Sequence, residues 1–335
     1  MKTKLTVVAV VLSCIFGGCA PQAVTPVQPE EGKELLTVDF NEGQILRYRF
    51  VSHRDIVLSW GQTTGSRGEK AEDAFSESLE MVMSYKPVKV DRYGLTVIEA
   101  TCESVKPRRS SKQSKQLRNS KDPVKMLAGK SFSFTVSPTG KIADYSEMDA
   151  LIREMGKKAF RERSQQGRVK EPDMIGDFIA SQWFLWDSIS SIKNPLKGVA
   201  PGDSWTSVLS VPSPLVMRKA RNVTYKFAAV RKSHGNRFAL IRSSYSPAKS
   251  VPDDWCKPYP PGGFQVSGSF GLLRRLTIDK LEGTGEELFN IDSGRIEKYT
   301  QKFNMEVAAT LLFPLPGANP RVKIEQELTM QLLGQ

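Results

Sequence analysis

Between Gln44 and Leu332 most of the chain is written in period two. Leu46, Tyr48 and Phe50 are apolar while Arg47 and Arg49 are charged, the alternation of a strand with one face in water. The pattern resumes at Leu79, Met81, Met83 and Tyr85, passes a turn at Asp91-Arg92-Tyr93-Gly94 and returns through Leu95 and Val97, which predicts two antiparallel strands. Phe132, Phe134 and Val136 alternate with serine and threonine. Ser137-Pro138-Thr139-Gly140 then turns the chain toward Ile142, with Gly140 at the position that needs positive φ. Later strands are predicted at Trp205 to Val208, Val223 to Ala229, Phe238 to Ile241, Phe289 to Lys298 as a hairpin over Asp292-Ser293-Gly294, Phe303 to Val307, and Val322 to Leu332.

The period changes once. Ser146-Glu147-Met148-Asp149 is a capping-box variant, and Met148, Leu151, Ile152, Met155 and Ala159 follow at spacings of three and four, so a helix is expected there. A second helix is expected from Asp173 as N-cap, with Ile175, Phe178, Ile179, Trp183, Trp186 and Ile189 on its apolar side, ending before Asn194-Pro195. The fold class is therefore α+β, mostly antiparallel sheet in two related β parts, with a two-helix insert. The pieces fall in similar order in both parts: the turns closed by Gly94 and Gly140 match those closed by Gly235 and Gly294. Duplication into a curved sheet or half-barrel is one explanation; the general likeness of β meanders is the other. The expected divisions are 1–18, a signal; 19–36, a proline-rich tether; 37–145, the first β part; 146–197, the helical insert; and 198–335, the second β part.

The first nineteen residues change the picture of address. Lys2 and Lys4 precede an uncharged run from Leu5 to Phe16, then Gly17 and Gly18 stand before Cys19, the layout of a secretory signal. Phe16-Gly17-Gly18-Cys19 resembles the bacterial lipobox, which implies diacylglyceryl attachment at Cys19. Pro21, Pro26 and Pro29 make the following segment an extended spacer; 13 residues at about 3.1 Å each reach roughly 40 Å. Removing Lys2 and Lys4 takes the formal charge from +12 to +10. A basic exported protein meets anionic lipid, acidic polymer or acidic protein, and no nucleic-acid motif is present. Lys106 to Lys125 holds eight basic residues and one acid and reads as a solvated loop. Lys112, Lys115, Arg118 and Lys121 are its candidates for contact with an anionic surface. Cys102 and Cys256, the two thiols left beyond Cys19, are either a disulfide or two separate buried thiols.

Candidate chemistry is sparse. His53 and His234 have no partner at metal spacing, Gly283-Thr284-Gly285 lacks the third glycine of a nucleotide loop, and no cofactor is implied. Three acidic pairs, Asp253-Asp254, Glu286-Glu287 and Asp173 with Asp177, each have a structural explanation beside a catalytic one. The densest apolar feature is the helix carrying Phe178, Trp183 and Trp186, which serves either as core or as a face for a ligand or partner. Lipobox, the Pro138-Thr139-Gly140-Lys141-Ile142 and Asp292-Ser293-Gly294-Arg295-Ile296 turns and the late Gly283-Thr284-Gly285 together resemble an uncharacterised family of bacterial exported lipoproteins with a domain of unknown function. That resemblance brings no active site with it. The expected role is non-enzymatic: an envelope protein held to the membrane by lipid at Cys19, binding an apolar or anionic ligand or a protein partner; the alternatives are a structural or assembly component without a small ligand and, third, a cryptic hydrolase. Ala20 lacks the aspartate that keeps such lipoproteins at the inner membrane, which favours the outer one.

Overall fold

The computed structural model describes residues 31–60, 72–111, 123–162, 174–211, 219–250, 273–311 and 319–334. Its strands are β1 (Leu46–Ser59), β2 (Glu72–Val90), β3 (Thr96–Ser111), β4 (Ser131–Val136), β5 (Ile142–Asp144), β6 (Ser204–Ser210), β7 (Ala220–Ser233), β8 (Asn236–Pro247), β9 (Leu273–Asn290), β10 (Arg295–Leu311) and β11 (Arg321–Leu332). All eleven join one antiparallel sheet in the order β5-β4-β3-β2-β1-β11-β10-β9-β8-β7-β6. The two β parts are thus a single sheet. They meet where β1 pairs with β11, from Tyr48 opposite Leu332 to Ser59 opposite Arg321. The matching glycine turns lie where any up-and-down meander puts its hairpins, so their likeness does not by itself establish duplication.

The sheet is open between β5 and β6, and the chain crosses that gap through α1 (Ser146–Glu162), α2 (Ile175–Phe184) and α3 (Asp187–Ser190). Side chains from α2 and α3 touch β1, β2, β4, β6, β7, β9 and β11. From Ile175 to Ser190 is about 24 Å of helix, whereas a flat sheet would spread β4 to β6 over nine strand spacings of about 4.8 Å, roughly 43 Å. The sheet therefore curls around the helices, and its concave face is the core.

Strand parity decides what enters that core. Leu46, Tyr48, Phe50, Ile56 and Leu58 of β1 are buried, as are Leu79, Met81, Met83 and Tyr85 of β2, and Val322, Ile324, Leu328 and Met330 of β11. Leu36, Val38 and Phe40, ahead of β1, are also buried. Their segment laces over one end of the sheet: Val38 N–H donates to the Pro138 carbonyl (2.9 Å), Asp39 N–H to that of Gly294 (3.1 Å) and Gly43 N–H to that of Pro87 (2.9 Å). Tight turns at 91–94, 137–140, 233–235 and 291–294 gather at this same end. At Gly140, φ is +78° and an added Cβ would stand 2.9 Å from that of Trp186, so the turn needs glycine twice over. The longer connections 61–71, 112–122, 212–218, 251–272 and 312–318 all leave strands at the opposite end.

Several expectations require correction. Lys106 to Ser111 is not loop: it continues β3, with Arg109 opposite Glu77 and Ser111 opposite Phe75, because Lys106 and Arg108 on the outer parity are as well solvated as in a loop while Arg109, on the inner parity, pairs with Glu77. Lys125 lies in the short 3-10 helix Pro123–Leu127. The second helix has Met174 as N-cap and breaks at Leu185 and Trp186, where Trp186 leaves helical geometry at φ −135°. Asp144, rather than Ser146, caps the first helix side-on, accepting the Ser146 N–H at 3.0 Å.

Candidate functional site

Helices α2 and α3 are docked on the concave face by polar side chains as well as apolar ones. Asp177 lies buried in the first turn of α2 and receives both nitrogen-to-oxygen bonds of Arg54 Nη1, at 2.9 and 3.1 Å. Arg54, 2% exposed on β1, also donates Nε to Glu77 of β2 at 2.6 Å, and Glu77 pairs with Arg109. Gln326 of β11 reaches Asp177 at 3.1 Å and Ser52 at 2.8 Å. Burial pulls the Arg54 guanidinium down, but Asp177 and Glu77 outweigh it and hold the group above its ordinary value. One turn on, Tyr85 donates its hydroxyl to Gln182 at 2.7 Å.

A second cluster holds α3. Asp187 accepts the Tyr225 hydroxyl at 2.7 Å and that of Ser207 at 2.8 Å, while Ser188 donates to Glu287 at 2.6 Å and its carbonyl accepts the Trp205 indole N–H at 2.7 Å. Burial raises Asp187 to about 6 against the hydroxyls of Tyr225 and Ser207. Burial raises Glu287 further, to about 8, with Ser188 opposing and the Asp187 charge adding to the rise. Beside them Arg221 of β7 is fully buried among the rings of Phe184, Tyr245 and Phe303, at 4.9, 4.4 and 5.4 Å, and donates Nη2 to Gln301 at 2.9 Å. Tyr245, Tyr299, Ser243 and Gln301 complete a chain of hydroxyls and amide.

That chain explains Gly283-Thr284-Gly285. Both glycines of β9 face inward, and a Cβ at Gly285 would collide with the Tyr245 hydroxyl and the Ser243 hydroxyl, one at Gly283 with the Lys302 carbonyl and Phe303. The motif makes room for the polar chain and has no part in nucleotide binding. Gly285→Ala should destabilise the protein by about 1–3 kcal/mol through overpacking, measured by urea denaturation, whereas Thr284→Ala on the outer face should change little.

The candidate residues fall as follows. Phe178 packs on Phe132, and Trp186 sits among Phe40, Tyr85 and Phe134, both buried, so core packing accounts for them; Trp183 is half-buried against Tyr145. Cys102 is a buried free thiol, pushed up to about 12 by burial and then by Glu103; Cys256, its partner in one of the two readings, lies outside the described residues. Cys19, Lys112, Lys115, Arg118 and Lys121 also lie outside them, as do Asp173, Asp253 and Asp254. Glu286 and Glu287 point to opposite faces of β9, Glu286 toward Arg242 at 3.5 Å outside, so they form no joint site. Among the described residues no group of His, Cys, Asp or Glu could hold a metal ion, and no helix is long and apolar enough to cross a membrane.

Clefts lined by described residues include two that reach neither Asp187 nor Glu287. One, of about 380 Å³, opens at the long-connection end between Trp60, Glu72, Asp279, Glu306, Arg321 and Lys323. The other, of about 280 Å³, lies on the sheet over Gly285, between Arg242, Glu286 and Lys302.

Comparison with known proteins gives a family match over part of the chain and two weak structural likenesses. No curated protein matches the chain. A solved structure of lipovitellin, described for its lipid–protein interactions, aligns with 88% of this chain at 12% identity and a TM-score of 0.42; the alignment spans 26% of the lipovitellin chain. An outer membrane channel from Pseudomonas putida F1 aligns over 92% of this chain and 100% of its own, at 9% identity and a TM-score of 0.22. Residues 76–235, which run from β2 through the helical insert to the turn after β7, match the family described as a family of unknown function, DUF6263.

Proposed function

We propose that this protein is a lipid-anchored component of the bacterial cell envelope, attached through Cys19 and sorted to the outer membrane, that holds an acidic partner without catalysis. One observation carries the reading: the two ends of the sheet are built differently. The chain enters at the tight-turn end, where residues 34–43 bond to the 137–140 and 291–294 turns and to the end of β2, and the longer connections leave from the other end. Connections that vary in length are where binding residues concentrate on a rigid scaffold. The segment 112–122 among them contributes Lys112, Lys115, Arg118 and Lys121 against Asp122. With α2 and α3 packed into the hollow of the sheet, a partner met at the far end fits the geometry better than a ligand swallowed by it. An anionic envelope polymer or an acidic protein face has the required charge.

The test has two arms. Cys19→Ser should move the protein from the membrane fraction to the soluble one and abolish the mass of the acyl chains; unchanged fractionation and mass would sink the anchor. Separately, Lys112, Lys115 and Lys121 changed together to Gln should release the soluble chain from an immobilised sulfated polysaccharide at distinctly lower salt, since each cation near an anionic surface contributes about 1 kcal/mol. Melting should not move, and co-elution of variant and parent would return those lysines to plain solvation.

A further inference from the structure

The tight-turn end carries the feature that the proposed role leaves unused. Six large hydrophobic side chains are exposed among the described residues, and four of them are neighbours there: Ile45 at 47%, Val88 at 44%, Tyr93 at 70% and Leu95 at 38%. Isolated exposed apolar residues are ordinary on any protein, but a group at one rim is not. Ile45 precedes Leu46, whose register partner is Tyr85, and Gly43 N–H bonds the Pro87 carbonyl at 2.9 Å, so the start of β1 and the end of β2 lie side by side. Tyr93 and Leu95 belong to the hairpin that follows.

That hairpin is held rigidly. Asp91 Oδ1 accepts the N–H groups of both Tyr93 and Leu95 at 2.8 Å, and Gly94 N–H returns to the Asp91 carbonyl at 3.0 Å. An added Cβ at Gly94 would come 2.6 Å from Pro138, so the tip leans on the neighbouring turn. Arg92 lies over the Tyr93 ring at 4.7 Å. Of the carboxylates at this end, Asp91, as above, and Glu42, by Val90 N–H at 2.8 Å, are occupied by backbone, while Glu31 and Asp39 stand exposed along the 31–45 segment. Glu99 stands opposite Lys86 across β2 and β3. Lys89 and Arg92 at the tip and Lys141 on the adjoining turn keep their charges toward solvent.

We infer that this rim rests on a lipid surface carrying anionic headgroups, with Tyr93, Ile45, Val88 and Leu95 entering the headgroup layer and Lys89, Arg92 and Lys141 placed at the phosphates. Tyrosine has the amphipathic ring that sits at a membrane interface, and arginine and lysine keep their charges in the headgroups while their stems follow the apolar contact. The occupant is fixed by where the chain outside the structure joins. Residues 31–45 run across this very end, so a chain anchored at Cys19 brings this rim nearest the point of attachment. The inference rests on the Cys19 reading for its orientation. The tether of residues 20–30 then sets only the slack, about 34 Å at 3.1 Å per residue, and the apolar rim draws the folded part down instead of leaving it standing off.

The experiment uses the unacylated chain from Ala20 onward, so that the anchor cannot supply the binding. On vesicles of phosphatidylethanolamine with phosphatidylglycerol the parent should co-sediment, and it should do so less on vesicles of phosphatidylcholine alone. Changing Ile45, Tyr93 and Leu95 together to Ser should weaken the partition about tenfold or more, with melting and polysaccharide retention unaltered. Hydrogen exchange of the 86–97 hairpin should slow on anionic vesicles in the parent and not in the variant. Equal vesicle binding by parent and variant, or no binding by the parent, overturns the inference while leaving the Cys19→Ser fractionation result to stand or fall by itself.

Discussion

Arg54→Ala is expected to cost on the order of 3–5 kcal/mol, the largest loss from any single side chain considered, because it removes one partner of a buried ionic cluster and strands the others. Asp177 and Glu77 would then face each other in the core with Gln326, Ser52 and Arg109 as their remaining neighbours. At roughly 2–4 °C per kcal/mol for a chain of this size, melting should fall by on the order of ten degrees. The location of the damage matters as much as its size. Asp177 fixes the first turn of α2 to β1 and β11, so hydrogen exchange in Ile175–Phe184 should accelerate more than exchange in β10 or β11. Arg54→Lys keeps the charge but loses the fork that engages both carboxylates, and should fall between the two. An Arg54→Ala protein that melts within about a degree of the parent would show that the cluster does not hold the helix.

That cluster also marks where the sequence was legible and where it was not. The strands were readable because their inward positions are apolar in runs: Leu46, Tyr48, Phe50 on β1 and Leu79, Met81, Met83, Tyr85 on β2. The helices were readable from the single change of period at Ser146. What alternation could not convey is that β1 and β11 are neighbours, a pairing between residues almost three hundred positions apart, and hence that two β parts make one sheet. The polar core left a signal of its own. Arg54, Glu77, Arg221, Glu287, Gln301 and Gln326 all occupy the inward parity of their strands, in phase with Ile56, Leu79, Val223, Phe289, Phe303 and Ile324. A charged residue in that phase must find a buried partner or neutralise. Noticing the phase would have singled out these residues, though not their partners Asp177, Asp187 and Ser188, which only the docking of the helices brings to them. The aromatic helix was ambiguous for the same reason: Phe178 and Trp186 have the composition of a binding face, and burial by a curled sheet is invisible in a helical spacing. At the exposed rim the difficulty was reversed, since Leu95 reads simply as the first residue of a strand and only the three-dimensional turn puts it beside Ile45 and Val88.

Stability should fall as pH rises from about 4 to about 8, and Glu287→Gln should remove most of that slope. Glu287 holds its proton to about 8 in the folded protein, chiefly through burial, against roughly 4.3 in an unfolded chain. Between those values the folded state binds the proton and the unfolded state has lost it, so each rise in pH favours unfolding. The stability present below about pH 4 is therefore lost progressively and fully gone only above about 8; at 1.36 kcal/mol per pH unit the span is on the order of 5 kcal/mol. Asp187, raised to about 6, adds a change of the same sign that is complete at lower pH. Gln at 287 retains an acceptor for the Ser188 hydroxyl and carries no charge to bury. Variant and parent should consequently melt together near pH 4, diverge from about pH 5 upward, and differ most near pH 9, with the variant the more stable. Urea denaturation across that range reads the effect directly, and a second variant isolates its cause: Ser188→Ala removes the hydroxyl that opposes the rise, so the parent's slope should persist to still higher pH. Parallel stability curves for parent and Glu287→Gln from pH 4 to 9 would mean that Glu287 is ionised in the folded core and that the hydroxyls around α3 are sufficient to hold its charge.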